Sequence, residues 1–392
     1  MILPDGVWRR RYDLADLAAL LGAADGLTRM VGGVVRDTLL GFDAADIDLA
    51  TRLAPTDVLD RLQAAGIKAV PTGLAHGTVT AVLPGGPVEI TTLRRDVSTD
   101  GRHATVAYTD DWREDAARRD FTINALYADY PGGDIHDYFG GVADLQAGIV
   151  RFIGDPYERI AEDHLRILRF FRFHARFGDV PDPAGLAACS SRARDLMALS
   201  RERIAGELLK LLVAPRALAV IETMIAQGIF AAMLPEISAK GAQALAHLVA
   251  REAEQNIAPS AIRRLAALIP ADPHSADTIA ARLKLSKADR KRLVSAVQAP
   301  GDQPLQALAY RIGIEAAIDR HLISGNVDVG PIIGWTPPRL PISGGALVER
   351  GIDKGPQVAE LLRHVEDQWI AEGFPDAARV EAICDQIVDQ AR

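Results

Sequence analysis

Asp46 and Asp48, in the run Asp46-Ile47-Asp48-Leu49-Ala50-Thr51, come shortly after Gly32-Gly33 and Arg36 in Met30-Val31-Gly32-Gly33-Val34-Val35-Arg36-Asp37. In an extended strand alternate residues face the same side, so the two carboxylates converge on one accessible point while Ile47 and Leu49 face a core. That arrangement is a natural clamp for a divalent cation. Gly32-Gly33 separates a buried strand from a helix-like stretch, Val34 to Leu40, where backbone N–H groups and a helix start can receive a triphosphate, with Arg36 on the first turn. Singly, an Asp-x-Asp pair is common in solvated turns and a glycine pair in structural ones. Together they point to nucleoside triphosphate and Mg²⁺ chemistry. Glu89, between Val88 and Ile90 on a later strand, is a candidate third carboxylate and equally a surface-facing strand residue.

Two more constellations carry charge in unusual company. In Ala117-Arg118-Arg119-Asp120-Phe121-Thr122-Ile123-Asn124-Ala125-Leu126 the apolar residues pin the segment in a core, so Arg118, Arg119, Asp120 and Asn124 must pair or face a site. Paired arginines suit phosphate oxygens and sugar hydroxyls. In Glu162-Asp163-His164-Leu165-Arg166-Ile167-Leu168-Arg169-Phe170-Phe171-Arg172, helical spacing places Asp163, Arg166, Arg169 and Arg172 in one row. An intrahelical salt-bridge ladder would use such a row too, but three arginines served by one or two acids leave guanidinium groups free.

The elements that must position these residues divide the chain. Up to about residue 150, strand-like runs (27–31, 46–51, 78–83 and 88–93) alternate with a helical 55–65, which predicts a mixed α and β domain. From Asp155 onward helical periodicity takes over, at 160–177, 201–213, 217–229, 242–253, 261–269 and 288–297. Ser286 with Asp289 makes a capping box for the last of these. A final section with Pro337-Pro338, Pro341, Gly344-Gly345 and Gly355-Pro356 predicts a helix over 356–372.

With 392 residues, 48% hydrophobic and 24% charged, the chain reads as a globular protein of two or more domains. Trp8, the arginines at 9–11, Asp13 and Asp16 are wrong for a signal peptide, and no apolar run is long enough for a bilayer. Cys189 and Cys384 are the only cysteines, too few for a disulfide framework or a structural zinc site, so a reducing cytoplasm is expected. The net charge of −8 argues at first against a nucleic-acid partner. It is uneven, however: residues 151–216 carry twelve basic and nine acidic side chains, leaving that segment at +3 and the rest at −11. One arginine-rich face is compatible with RNA.

Read together, GGVVRDTLLG with DIDLAT, RRDFTINAL, DYFGGVADLQAGIVR and EDHLRILRFFRF resemble the ordered motif set of the bacterial class II tRNA nucleotidyltransferase and poly(A) polymerase family, over residues 30 to about 215. Thr72-Gly73-Leu74-Ala75-His76-Gly77-Thr78-Val79-Thr80 with Val88-Glu89-Ile90-Thr91 is similar to the CCA-adding branch. Arg95 to His103, including Asp100, Gly101 and Arg102, looks like that family's flexible loop, which favours addition of the terminal A. The resemblance implies a polymerase-β-like α+β nucleotidyltransferase head with a small mixed sheet (1–150), then an all-α neck that recognises the base (151–215), body (216–300) and tRNA-binding tail (301–392).

It also implies attack of an RNA 3′-hydroxyl on the α-phosphate of CTP or ATP. Asp46 and Asp48 would hold two Mg²⁺ ions, Asp163 and Arg166 would read the base, and Arg169 and Arg172 would support that pair or the triphosphate. The expected partners are tRNA, CTP and ATP, with no membrane and no obligate protein partner. A poly(A) polymerase, or an enzyme adding only CC or only A, stays open. So do a catalytically dead RNA-binding relative, although this chain keeps both aspartates, and a metal phosphohydrolase built on His136-Asp137, although His164 and His174 complete no metal-spaced set.

Overall fold

The computed structural model describes residues 1–44, 46–99, 104–325 and 328–391. Asp100, Gly101 and Arg102 therefore lie outside the described residues. The chain forms two compact units, Met1–Pro235 and Glu236–Arg392.

The first unit is built on a seven-stranded mixed sheet of order β3-β4-β5-β2-β1-β8-β9. Its strands are β1 (Thr28–Val31), β2 (Ile47–Thr51), β3 (Lys68–Gly73), β4 (Thr78–Leu83), β5 (Gly86–Thr92), β8 (Leu126–Asp129) and β9 (Ile135–Asp137), while β6 (Arg94–Thr99) and β7 (Ala104–Tyr108) form a separate hairpin. Among the described residues only β2 and β5 pair in parallel, with Asp48 opposite Glu89 and Leu49 opposite Ile90. Ile47, Leu49, Val88 and Ile90 are buried, as the alternation requires, which leaves Asp48 half-buried. The sheet has more strands than the β-branched runs predict. β3 is largely exposed and β9 has three residues, so neither carries an apolar signature.

Helices α2 (Gly33–Leu39) and α3 (Pro55–Ala64) pack on the sheet and α4 (Trp112–Ala117) shares a core with it, alongside α1 (Tyr12–Leu20) and α5 (Gly141–Gln146). They are followed by α6 (Pro156–Glu162), α7 (Arg166–Phe177), α8 (Pro183–Ser191), α9 (Arg201–Leu212), α10 (Ala217–Ala226) and α11 (Phe230–Met233). The helix expected over 160–177 is thus two helices. Asp163 has extended backbone, φ −150° and ψ 105°, because its own side chain accepts a hydrogen bond from the Leu165 N–H and its carbonyl accepts one from the Arg166 N–H. An aspartate that caps the next turn competes with continuing the previous one. Arg166, Arg169 and Arg172 share a helix face; Asp163 stands in the break before them.

Aromatic packing joins the sheet-bearing part to α7. Phe121 lies 4.9 Å from Phe152 and 5.3 Å from Phe173, and Phe152 stacks on Phe170 at 5.6 Å. Aromatic rings at these separations contribute about 0.5 to 1.5 kcal/mol per pair beyond their buried area. Phe121 is the residue after Asp120, so this cluster sets where Asp120 meets α7.

The second unit is helical: α12 (Ala239–Glu254), α13 (Ala261–Leu268), α14 (Pro273–Arg282), α15 (Lys287–Ala296), α16 (Leu305–Ile312), α17 (Ile314–Ser324), α18 (Gly344–Glu349), α19 (Pro356–Ala371) and α20 (Ala377–Ala391). Ser286 caps α15, accepting from the Asp289 N–H at 3.1 Å and donating to its carboxylate at 2.7 Å. One core gathers Leu347, Val365, Trp369, Ile383 and Val388. Elsewhere Arg263 is 2% exposed and bridges Asp319 at 2.8 Å and Glu252 at 2.9 Å, both carboxylates also being buried. Removing one partner of such a set leaves an uncompensated buried charge. Arg263→Met should therefore lower stability by about 3 to 5 kcal/mol, read as a drop in the urea midpoint; an unchanged midpoint would mean that Arg264 and Arg292 suffice to satisfy both carboxylates.

Candidate active site

The β1–α2 turn is where the site begins. Gly32 has φ +70°, a conformation that side chains rarely adopt, and its N–H is bonded to the Leu126 carbonyl of β8. A Cβ there would come within 3.4 Å of Arg119 and the Asn124 carbonyl. Glycine thus lets the RRDFTIN segment close on the turn. α2 has only seven residues and Arg36 stands in its middle, 8% exposed, rather than free on a first turn. Its Nε donates to Asp37 at 2.8 Å, it also donates to Asn124, and its guanidinium lies 4.2 Å over Phe177.

A cavity of about 620 Å³ opens in the first unit, lined by Gly32, Gly33, Arg36, Asp46, Asp48, Arg118, Arg119, Asp120, Asn124, Asp163, Arg166, Arg169, Arg172 and Phe173. Three segments far apart in sequence supply it. Asp46 is exposed just before β2 and Asp48 is half-buried on it. Burial pushes the Asp48 carboxyl up to about 6, with Glu89 and Asp46 adding repulsion that Arg119 partly offsets. A half-buried carboxylate beside other carboxylates is an environment that a divalent cation relieves, so the donor set fits one. Glu89, on β5, is paired in register with Asp48 of β2 but does not line the cavity, and among the described residues no three acidic, histidine or cysteine side chains converge on one point. The remaining ligands of a cation at Asp46 and Asp48 would have to come from water or a bound phosphate.

The cationic side chains that line the cavity are held by ion pairs. Asp115, on α4, receives the Tyr127 hydroxyl at 2.6 Å, Arg118 at 2.7 Å and Arg119 at 3.4 Å. Burial alone would raise its carboxyl, yet Arg119 and Arg118 hold it below the usual range. Asp120, also lowered against its burial, accepts from Asn124 at 3.0 Å and from Arg169 Nε at 2.8 Å. Both carboxyls titrate lower folded than unfolded. Their stabilisation is present above the unfolded value of about 4 and is lost as pH falls through it toward the folded values. Between roughly pH 4 and 2, the urea midpoint of the parent should fall more steeply than that of the Asp115→Asn, Asp120→Asn double variant; parallel pH profiles would show that these carboxyls play no part in acid unfolding.

The arginine row is not free, contrary to the count of acids along its own helix. Arg166 pairs with Glu162 and donates to the Arg159 carbonyl at 2.7 Å, Arg169 pairs with Asp120, and Arg172 pairs with Glu207 of α9. Glu162 stands at i, i+4 to Arg166, but Asp120 and Glu207 come from distant elements, so no helix periodicity could reveal those two. A guanidinium has five N–H donors, and the single carboxylate beside each leaves some directed into the cavity. Asp163 is held by Arg203 of α9 at 2.8 Å as well as by the Leu165 N–H. Arg203 and Glu207, one helical turn apart, thus brace the two ends of the row.

Sequence reasoning missed Asp115, Arg159, Arg203 and Glu207. Arg159 is 8% exposed and donates to the carbonyls of Arg118 and Arg119, tying α6 to that segment. Asp115 had a local signal, its i, i+3 and i, i+4 spacing to Arg118 and Arg119, and so did Arg159, three residues before Glu162. His136 pairs with Asp129 at 2.9 Å, away from any acidic or histidine cluster among the described residues.

A mixed sheet bearing paired carboxylates, with a cationic cavity closed by helices, defines a nucleotidyltransferase. Residues 28–151 match the family model described as the poly A polymerase head domain, and residues 181–240 match that described as the probable RNA and SrmB-binding site of polymerase A. The chain is 34% identical to the mitochondrial CCA tRNA nucleotidyltransferase 1 of Mus musculus, over 92% of this chain and 87% of the relative, and 30% identical to the CCA-adding enzyme of Limosilactobacillus fermentum, over 88% of each. The chain belongs to the class II tRNA nucleotidyltransferase and poly(A) polymerase family. Its fold matches that of the Bacillus stearothermophilus CCA-adding enzyme in complex with CTP, with a TM-score of 0.76 at 24% identity over 97% of this chain and 98% of that one. The Thermotoga maritima CCA-adding enzyme complexed with tRNA also matches, at 0.68 and 20% identity, over 97% and 95%.

Proposed function

We propose that this protein adds C, C and A without a template to the 3′ end of tRNA, using CTP and ATP and releasing pyrophosphate. The observation that carries the proposal is that one cavity is lined both by the carboxylates Asp46 and Asp48 and by a hydrogen-bonding pair suited to base edges, Asp163 and Arg166. In this reading Asp46 and Asp48 hold divalent cations, proposed to be Mg²⁺. When bound, such ions lower the pKa of an attacking hydroxyl and neutralise charge on a departing pyrophosphate.

The protein's own groups do the rest. Gly32 and Gly33 bring backbone close to the triphosphate, and Arg118 and Arg119 offer it guanidinium donors that Asp115 keeps oriented. Asp120 and Asn124 spend their side chains on Arg169 and Arg36, so we give them positioning roles. An ionised aspartate only accepts and an arginine only donates. Cytosine and adenine each present an amino group beside a ring-nitrogen acceptor, which this pair matches. Uracil and guanine set a carbonyl against the carboxylate, which costs about 1 to 3 kcal/mol per unmatched group in a desolvated site.

Incubating tRNA that lacks its terminal CCA with CTP, ATP or both, and reading product length, tests the proposal. Three added nucleotides ending in A are expected with both. Long A tracts without CTP would make the chain a poly(A) polymerase, and a stop after two cytidines would make it a partial enzyme. The cytoplasm is the proposed compartment, supported by two buried cysteines that are both free.

A further inference from the structure

A second cavity, of about 370 Å³, is lined by Phe42, Arg172, Arg176, Lys210, Val213 and their neighbours Ala214 and Pro215. Arg172 lines this cavity and the first one alike. Among the described residues no carboxylate lines it. Arg176 and Lys210 are exposed and have no carboxylate partner among the described residues, in a protein whose other α7 arginines in the site are each paired. Phe42 is an aromatic ring left 54% exposed at the cavity mouth. Cation–ring contacts run between the two cavities: Arg172 lies 4.2 Å over Phe173, Arg36 lies 4.2 Å over Phe177, and Arg176 lies 5.2 Å over Phe177.

Unpaired cations beside an exposed ring and a small apolar floor are the chemistry of single-stranded nucleic-acid binding, in which cations track phosphates and a ring stacks on a base. Resting on the reading above, we infer that this cavity holds the RNA nucleotide preceding the accepting 3′ end, with Arg176 and Lys210 on its phosphate and Phe42 against its base. The shared Arg172 makes the two cavities neighbours, so a strand whose end enters the first has its next nucleotide at the second. A nucleoside triphosphate offers the same phosphate chemistry, and the experiment separates the two.

Full-length Arg176→Ala, Lys210→Ala and Phe42→Ala proteins are assayed with tRNA lacking its CCA end, varying tRNA and CTP independently, and tRNA affinity is measured without nucleotide over a salt series. Each variant is expected to raise KM and Kd for tRNA by roughly fivefold or more, with kcat and KM for CTP within about twofold. Each lost cation should flatten the log Kd against log salt slope by about 0.7. Arg176→Lys and Lys210→Arg should restore the slope. A tRNA KM within about twofold of the parent overturns the inference, and so does a rise confined to KM for CTP. If the parent transfers no nucleotide to tRNA, the proposed function fails on its own; tRNA affinity then decides the cavity, loss in the variants supporting it and parental affinity overturning it.

Discussion

Asp46→Ala and Asp48→Asn should each lower kcat for nucleotide addition by at least about 10³-fold, since a catalytic cation is worth several kcal/mol and each 1.36 kcal/mol is tenfold in rate. Stability should not follow activity. Asp46 is exposed, and Asp48 is half-buried among carboxylates with its own carboxyl raised to about 6 by burial and by Glu89. A carboxyl whose folded pKa lies above its unfolded one destabilises the fold progressively as pH rises through that interval. At pH 7.5, Asp48→Asn should unfold at the parent's urea midpoint or slightly above it, while the enzyme is dead. Rate and midpoint falling together would assign Asp48 to the fold rather than to the chemistry. Glu89→Gln, outside the cavity, should retain most of the parent's kcat.

Asp163→Ala should erode base choice. The parent should prefer CTP and ATP to UTP and GTP in kcat/KM, and removing the acceptor should cut that preference by about 10- to 100-fold, the equivalent of about 1 to 3 kcal/mol. Arg166→Ala should do likewise and weaken both correct substrates. Arg203→Leu should have a smaller effect, because the Leu165 N–H still anchors one Asp163 oxygen after the 2.8 Å contact to Arg203 is gone. Measuring kcat/KM for all four nucleotides with each variant checks the order. Parental selectivity in Asp163→Ala would remove the residue from base reading and leave Arg166, Arg169 and Arg172 to be re-examined.

Legibility in the sequence tracked the range of the interaction. β2 was readable because its alternation is a two-residue property of the chain. The same holds for α9, α10, α12, α13, α15 and α19 and for the Ser286 cap, all set within one or two turns, whereas α14, α16, α17, α18 and α20 were not read. The break at Asp163 was missed because helical spacing continues straight through it, and a side chain that caps the following turn does not disturb the apolar pattern. β3 and β9 were missed because an exposed or very short strand carries no period, and β8 because its four residues are nearly all buried and so do not alternate.

Residue types alone determined the chemistry available to this protein: two acids at strand spacing, a glycine pair, an arginine row and an aspartate able to read an amino group. Their convergence on one cavity was decided by the sheet that places β2 beside β1, by Phe121 seating the RRDFTIN segment on α7, and by α9 arriving with Arg203 and Glu207. Tertiary structure also decided which charges are spent and which remain. Arg166, Arg169 and Arg172 find their carboxylates on other elements, while Arg176 and Lys210 find none among the described residues. Side-chain period is a local property of the backbone, but ion pairing depends on distance in space, and Glu207 is 35 residues from the Arg172 it neutralises.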